Sequence, residues 1–103
     1  MDSNKAHDEK IGAAWTILRS GQSASAIQDF EQVLNQDNVN VDALYGLGLA
    51  LRANGDLEGA RSKWQQALEL EQNHLEALGD VRSRERERAF MNSTMLKQRL
   101  SEL

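Results

Sequence analysis

The chain repeats itself at a fixed interval. Laying Gly21 on Gly55 puts Ala26 on Ala60, Phe30 on Trp64, Leu34 on Leu68 and Asn40 on His74, all at one offset of 34 residues. A period of that length is one supersecondary unit per repeat, and such units bury their apolar faces by stacking on their neighbours. The clearer copy runs from Leu44 to Leu68. Its apolar residues recur at helical spacing, first Leu44, Leu47, Gly48 and Leu51, then Leu57, Ala60, Trp64, Ala67 and Leu68. Between them, Asn54-Gly55-Asp56 offers a left-handed stop followed by a capping carboxylate. Two such faces joined by so short a turn can only bury each other. Gly48 and Ala60 allow the paired backbones to approach closely, and Trp64 fills the space beside them.

The earlier copy keeps the spacing with weaker residues. Its stripes are Lys10, Ala13, Ala14 and Ile17, then Ala26, Phe30, Val33 and Leu34. Lysine stands where the second copy has Leu44, and alanines replace Leu47 and Gly48. The spacing survives and only the punctuation changes.

Set against the pattern W-x2-L-G-x2-Y…A-x3-F, the second copy matches through Leu44, Leu47, Gly48, Leu51, Ala60 and Trp64. In this the chain resembles a tetratricopeptide repeat protein. The resemblance implies an all-α, TPR-like array of antiparallel helical hairpins in a right-handed superhelix. It covers repeat 1 at about residues 7–40 and repeat 2 at about 41–74, followed by a capping helix at about 75–90 and a C-terminal helix or tail at 91–103, all in one domain. The proline expected at the end of each repeat is Asn38 in the first and Gln72 in the second.

Stop and cap signals set the expected boundaries. Ser20-Gly21, Asp37-Asn38, Asn40, Gly55-Asp56 and Asn73 with Glu76 three residues later divide the chain into helices at about 5–20, 23–36, 41–53, 57–71 and 74–90. Residues up to about Asn4 are left outside them. Past the second repeat, Leu75, Leu78 and Val81 continue an apolar edge before the charged run RSRERER. Asn92-Ser93-Thr94 are poor helix formers and good caps, so a break followed by a short helix at 94–102 is expected, with Met95, Leu96, Leu100 and Leu103 on its apolar face.

Composition narrows the class. The chain has neither cysteine nor proline and carries a formal net charge of -4. No disulfide or thiolate zinc site can form. The first residues, MDSNKAHDEK, lack the apolar core of a signal peptide, and no window approaches the ~20 apolar residues of a membrane span. A cytoplasmic protein without membrane contact is expected.

The resemblance places the binding face on the first helix of each repeat. There a second apolar stripe appears that the hairpins do not need: Ile11, Trp15 and Leu18 on one helix, Tyr45, Leu49 and Arg52 on the next. Aromatic residues with an arginine are the usual anchors of buried interfaces, and Arg86 is added at the rim. The alternative for Trp15, Leu49 and Tyr45 is packing between the two first helices. Co-chaperone members of the family grip a terminal carboxylate with lysine, arginine and asparagine, whereas the corresponding sites here offer Asp8, Ile11, Gly12 and Trp15, then Asp42, Tyr45, Gly46 and Leu49, then Glu76, Gly79, Asp80 and Ser83. An apolar or amphipathic segment of some basic character suits these residues better than an acidic tail.

Other constellations resolve to structure. Arg82–Glu85 and Arg84–Glu87 are spaced as ion pairs along a helix, without the unopposed cations and stacking partners of a nucleic-acid surface. Gly46-x-Gly48 lies within a helix with no strand before it, so it is no nucleotide loop. His7 and His74 have no second ligand at helical spacing, and no serine or acid has a base beside it. The expectation is therefore a non-catalytic protein–protein interaction module without cofactor or metal, binding another protein or peptide segment. Self-assembly as a homodimer, through the groove or the C-terminal helix, is the alternative.

Overall fold

The computed structural model describes residues 3–80 and 82–103, with side chains from His7 onward. The described residues form five α-helices: α1 (Ser3–Arg19), α2 (Ser23–Gln36), α3 (Val41–Ala53), α4 (Leu57–Leu78) and α5 (Arg84–Ser101). Each packs on its neighbour in sequence, so α1–α2 and α3–α4 are the hairpins of an all-α repeat array. Met1, Asp2 and Val81, the last of them on the expected apolar edge, lie outside the described residues, and α1 starts at Ser3, two residues before the boundary expected at about residue 5.

The caps follow the sequence signals closely in the first three turns. Asn40 Oδ1 accepts a hydrogen bond from Ala43 N at 3.0 Å, and Asp56 Oδ1 accepts one from Gly59 N at 2.8 Å. Gly55 stands at φ +88°, the left-handed conformation that a side chain would strain.

Helix α3 is the centre of the fold because both of its sides are covered. Ala43, Leu47 and Ala50 join Ile11, Ala14, Ala26, Phe30 and Val33 in one core cluster. Leu44 belongs to a second, with Ala60, Trp64, Ala67 and Leu96. The glycines divide in the same way. A Cβ at Gly46 would overlap the Phe30 ring, and one at Gly48 would overlap the Trp64 indole. Gly48 thus takes the close-packing role expected of it, while Gly46 turns away from the groove to receive Phe30. Both glycines lower helix propensity by ~1 kcal/mol each, and the room they leave for two large aromatic rings offsets it.

Four expectations need correction. Leu57 is 48 % exposed and contributes little to the α3–α4 core. Lys10 and Ala13 are exposed as well, although their matches on α3 are buried, Leu47 against the first hairpin and Leu44 against α4 and α5. The largest difference comes after residue 71. Instead of stopping there and restarting as a capping helix at 75–90, α4 continues through Leu78 and ends at Gly79, whose φ is +69°. Ser83 Oγ then caps α5 by accepting from Arg86 N at 3.0 Å. Helix α5 continues through 92–94 without the expected break. Ser93 Oγ donates to Ala89 O at 2.9 Å and Thr94 Oγ1 to Phe90 O at 3.0 Å, which satisfies both hydroxyls inside the helix. Asn92 donates instead to Glu71 Oε2 at 2.6 Å, across to the extended part of α4.

Helix α5 is fastened differently along its length. Toward its C-terminus, Leu96 is fully buried in the second cluster, and Leu100 and Leu103 pack against it. Nearer its start the contacts to α4 and its turn include polar ones: Asn92 to Glu71, Glu85 to His74 at 3.0 Å, and Arg86 Nε to Gly79 O at 2.7 Å.

Candidate functional site

The stripe left over by the hairpins assembles on α1 and α3 around Tyr45. The Trp15 and Tyr45 rings lie 6.0 Å apart in a tilted arrangement, and Trp15 also meets Phe30 edge-on at 5.6 Å. On its other side Tyr45 stacks on Trp64 at 6.3 Å. Trp64 is fully buried, and its Nε1 donates to the Tyr45 carbonyl at 3.1 Å. Three helices therefore set the position of Tyr45, while the ring itself is only half-buried.

Arginines close one end of this aromatic row. Arg52 lies over the Trp64 ring at 5.5 Å and pairs with Glu102 at 3.7 Å. Arg99 Nε donates to Tyr45 Oη at 3.2 Å, and Arg99 Nη1 donates to Glu102 Oε1 at 3.2 Å. The bond to Tyr45 first, and that to Glu102 second, hold the Arg99 guanidinium above its ordinary pKa. Arg99 is thus a fixed cation, and the phenol oxygen accepts from it.

The residues expected at the site separate into three groups. Trp15, Tyr45, Leu49 and Arg52 are half-buried on or beside the aromatic row, and Leu18 packs along α1 against the first cluster. Ile11 is 7 % exposed and belongs to that cluster's interior. Arg86 is committed to the Gly79 carbonyl in the α4–α5 turn. Where the sequence pointed to Glu76, Gly79 and Asp80 for the third helix of the groove, α5 supplies Arg99 and Glu102. These two were missed because α4 was expected to end near residue 71, which put the third helix of the groove at 74–90. The apolar spacing of Leu96, Leu100 and Leu103 was legible, but what that face packs against was not.

Among the described residues no three ligating side chains converge as a metal site. His7 Nε2 bonds Gln36 at 3.3 Å, and His74 faces Glu85. No helix among the described residues is long and apolar enough to cross a membrane.

Antiparallel helical hairpins at a 34-residue interval, with a shared inner face of aromatic residues, define a helical-repeat interaction fold. The family pattern described as tetratricopeptide repeat matches residues 12–81, and the chain belongs to that family. Comparison with curated proteins and with solved structures gives no match.

Proposed function

We propose that this chain is a non-catalytic protein–protein interaction module whose binding face is the α1–α3 surface centred on Trp15 and Tyr45, with Leu18, Leu49 and Arg52 around them. Tetratricopeptide repeats are in general modules of protein interaction. The observation that carries the reading is the row Trp15–Tyr45–Trp64, in which a sealed indole backs a half-buried phenol. A rigid aromatic surface loses little side-chain entropy on binding, which is what anchors of recognition require. The occupant is an apolar or amphipathic segment of another protein. Arg52 and Arg99 share the one carboxylate of Glu102 and leave that end of the face net positive, which disfavours a basic residue of the segment there.

Selection from a random peptide library on the immobilised chain tests this. Enriched peptides should carry apolar anchors at helical or alternate spacing, and should lose at least about tenfold in affinity for Trp15→Ala with Tyr45→Ala. Peptides whose binding is indifferent to both substitutions would contradict it.

A further inference from the structure

Glu102 stands between two arginines that do not depend on it for their position. Its Oε1 accepts from Arg99 Nη1 at 3.2 Å and lies 3.7 Å from Arg52 Nη1, so one carboxylate faces two guanidiniums. Each guanidinium has a second anchor on the aromatic row. Arg52 lies over the Trp64 ring, and Arg99 Nε donates to Tyr45 Oη. Taking the carboxylate away therefore leaves both cations held at the end of the face, beside the half-buried Tyr45 ring.

That carboxylate is also easily spared. The Arg52, Arg99 and Glu102 side chains are 36–41 % exposed, and ion pairs so open to water add little to stability. The end of α5 is held instead by the packing of Leu96, Leu100 and Leu103 in the second cluster. Glu102 lies just past the last helical residue, Ser101. Exchanging its carboxylate for another costs the fold little and restores both ion pairs.

We propose, resting on the binding face assigned above, that Arg52 and Arg99 form an acid-selective subsite at its end, and that Glu102 is the internal occupant displaced by a carboxylate side chain of the bound segment. The segment thus lays its apolar anchors over Trp15 and Tyr45 and brings an Asp or Glu to Arg52 and Arg99. An uncharged residue there leaves Glu102 in position and gains nothing. The selectivity is local, because the chain as a whole carries a net charge of -4 and disfavours an acidic ligand at long range.

The probe is a library-selected peptide whose binding depends on Trp15 and Tyr45. Each of its positions is changed in turn to Glu and to Gln with the C-terminus amidated, and dissociation constants are measured by fluorescence anisotropy. At one position Glu should bind about three- to fivefold more tightly than Gln. Glu102→Gln should strengthen binding of that Glu peptide about two- to fivefold while leaving the Gln peptide and the helical spectrum unchanged. Arg52→Gln or Arg99→Gln should abolish the difference between the peptides, whereas Lys97→Gln, which removes an exposed cation from the same helix, should leave it intact. The subsite is refuted, with the binding face left standing, if no position prefers Glu, if a gain appears only when the peptide C-terminus is left free, if Glu102→Gln changes both peptides alike, or if Lys97→Gln matters as much as Arg52→Gln. Peptides indifferent to Trp15→Ala with Tyr45→Ala refute the face and the subsite together.

Discussion

The two repeats end in different ways although neither has the proline of its family. At the first end, residues 37–40 break the helix: Asp37 leaves helical geometry, and Asn40 starts α3 with a side-chain cap. At the second, residues 71–74 remain inside α4, and the turn waits for Gly79. Asn73 and Glu76 look like a capping box as plainly as Asn40 looks like a cap. The difference lies in the residues downstream of each signal. After Asn40 comes a helix whose Ala43, Leu44 and Leu47 have Phe30 and Trp64 to bury against, so breaking there gains a core. After Asn73 the apolar residues are sparse, and no comparable burial rewards a new start. A cap signal therefore marks where a helix can begin, and tertiary burial decides whether it does.

That contrast has consequences for stability, measured by urea denaturation. Gln72→Pro, which restores the family's punctuation at the second end, should cost about 3 kcal/mol or more because it breaks the interior of α4. Asn38→Pro at the first end falls in an existing turn and should change stability by less than about 1 kcal/mol. If both prolines are tolerated alike, α4 does not run through. Leu96→Ala should cost about 2–5 kcal/mol by opening a cavity against Trp64 and Ala67; a near-neutral result would mean that α5 is not docked there. Asn92→Ala should cost about 1–3 kcal/mol, since Glu71 is only 8 % exposed and would lose its partner. The smallest effects sharpen the comparison most finely. Asn40→Ala should lose about 1 kcal/mol of capping, whereas Asn73→Ala, in an exposed helix interior, should be neutral or stabilising by up to about 0.5 kcal/mol.

Much of this was legible in the residues. The 34-residue offset identified both hairpins, and Gly55-Asp56 and Asn40 located their turns. Trp15, Tyr45, Leu49 and Arg52 stood out because the hairpins had no use for them. The sequence misled where local preference and tertiary packing disagree. Ser93 and Thr94 count against a helix until their hydroxyls are seen bonding the carbonyls one turn back, and Asn92 until Glu71 stands opposite. Gly46 and Gly48 are alike in sequence, and only the fold sends one toward Phe30 and the other toward Trp64. Arg99 reaches Tyr45, and Glu102 reaches Arg52 and Arg99, only because α4 runs on past residue 74 and α5 turns back, so one misplaced helix end concealed two residues of the candidate site.

The two tryptophans provide the most direct test of the proposed binding face. Trp64 Nε1 is sealed in a bond to the Tyr45 carbonyl, whereas Trp15 is half-buried on the face itself. In a nitrogen–proton NMR titration with a library-selected peptide, the Trp15 indole signal should shift or broaden strongly, with the backbone signals of Tyr45 and Leu49. The Trp64 indole should move far less, and the amides around Phe90 should not move at all. Large shifts confined to Phe90, Met91 and Met95, with Trp15 unmoved, would contradict the assignment and transfer recognition to the outer face of α5.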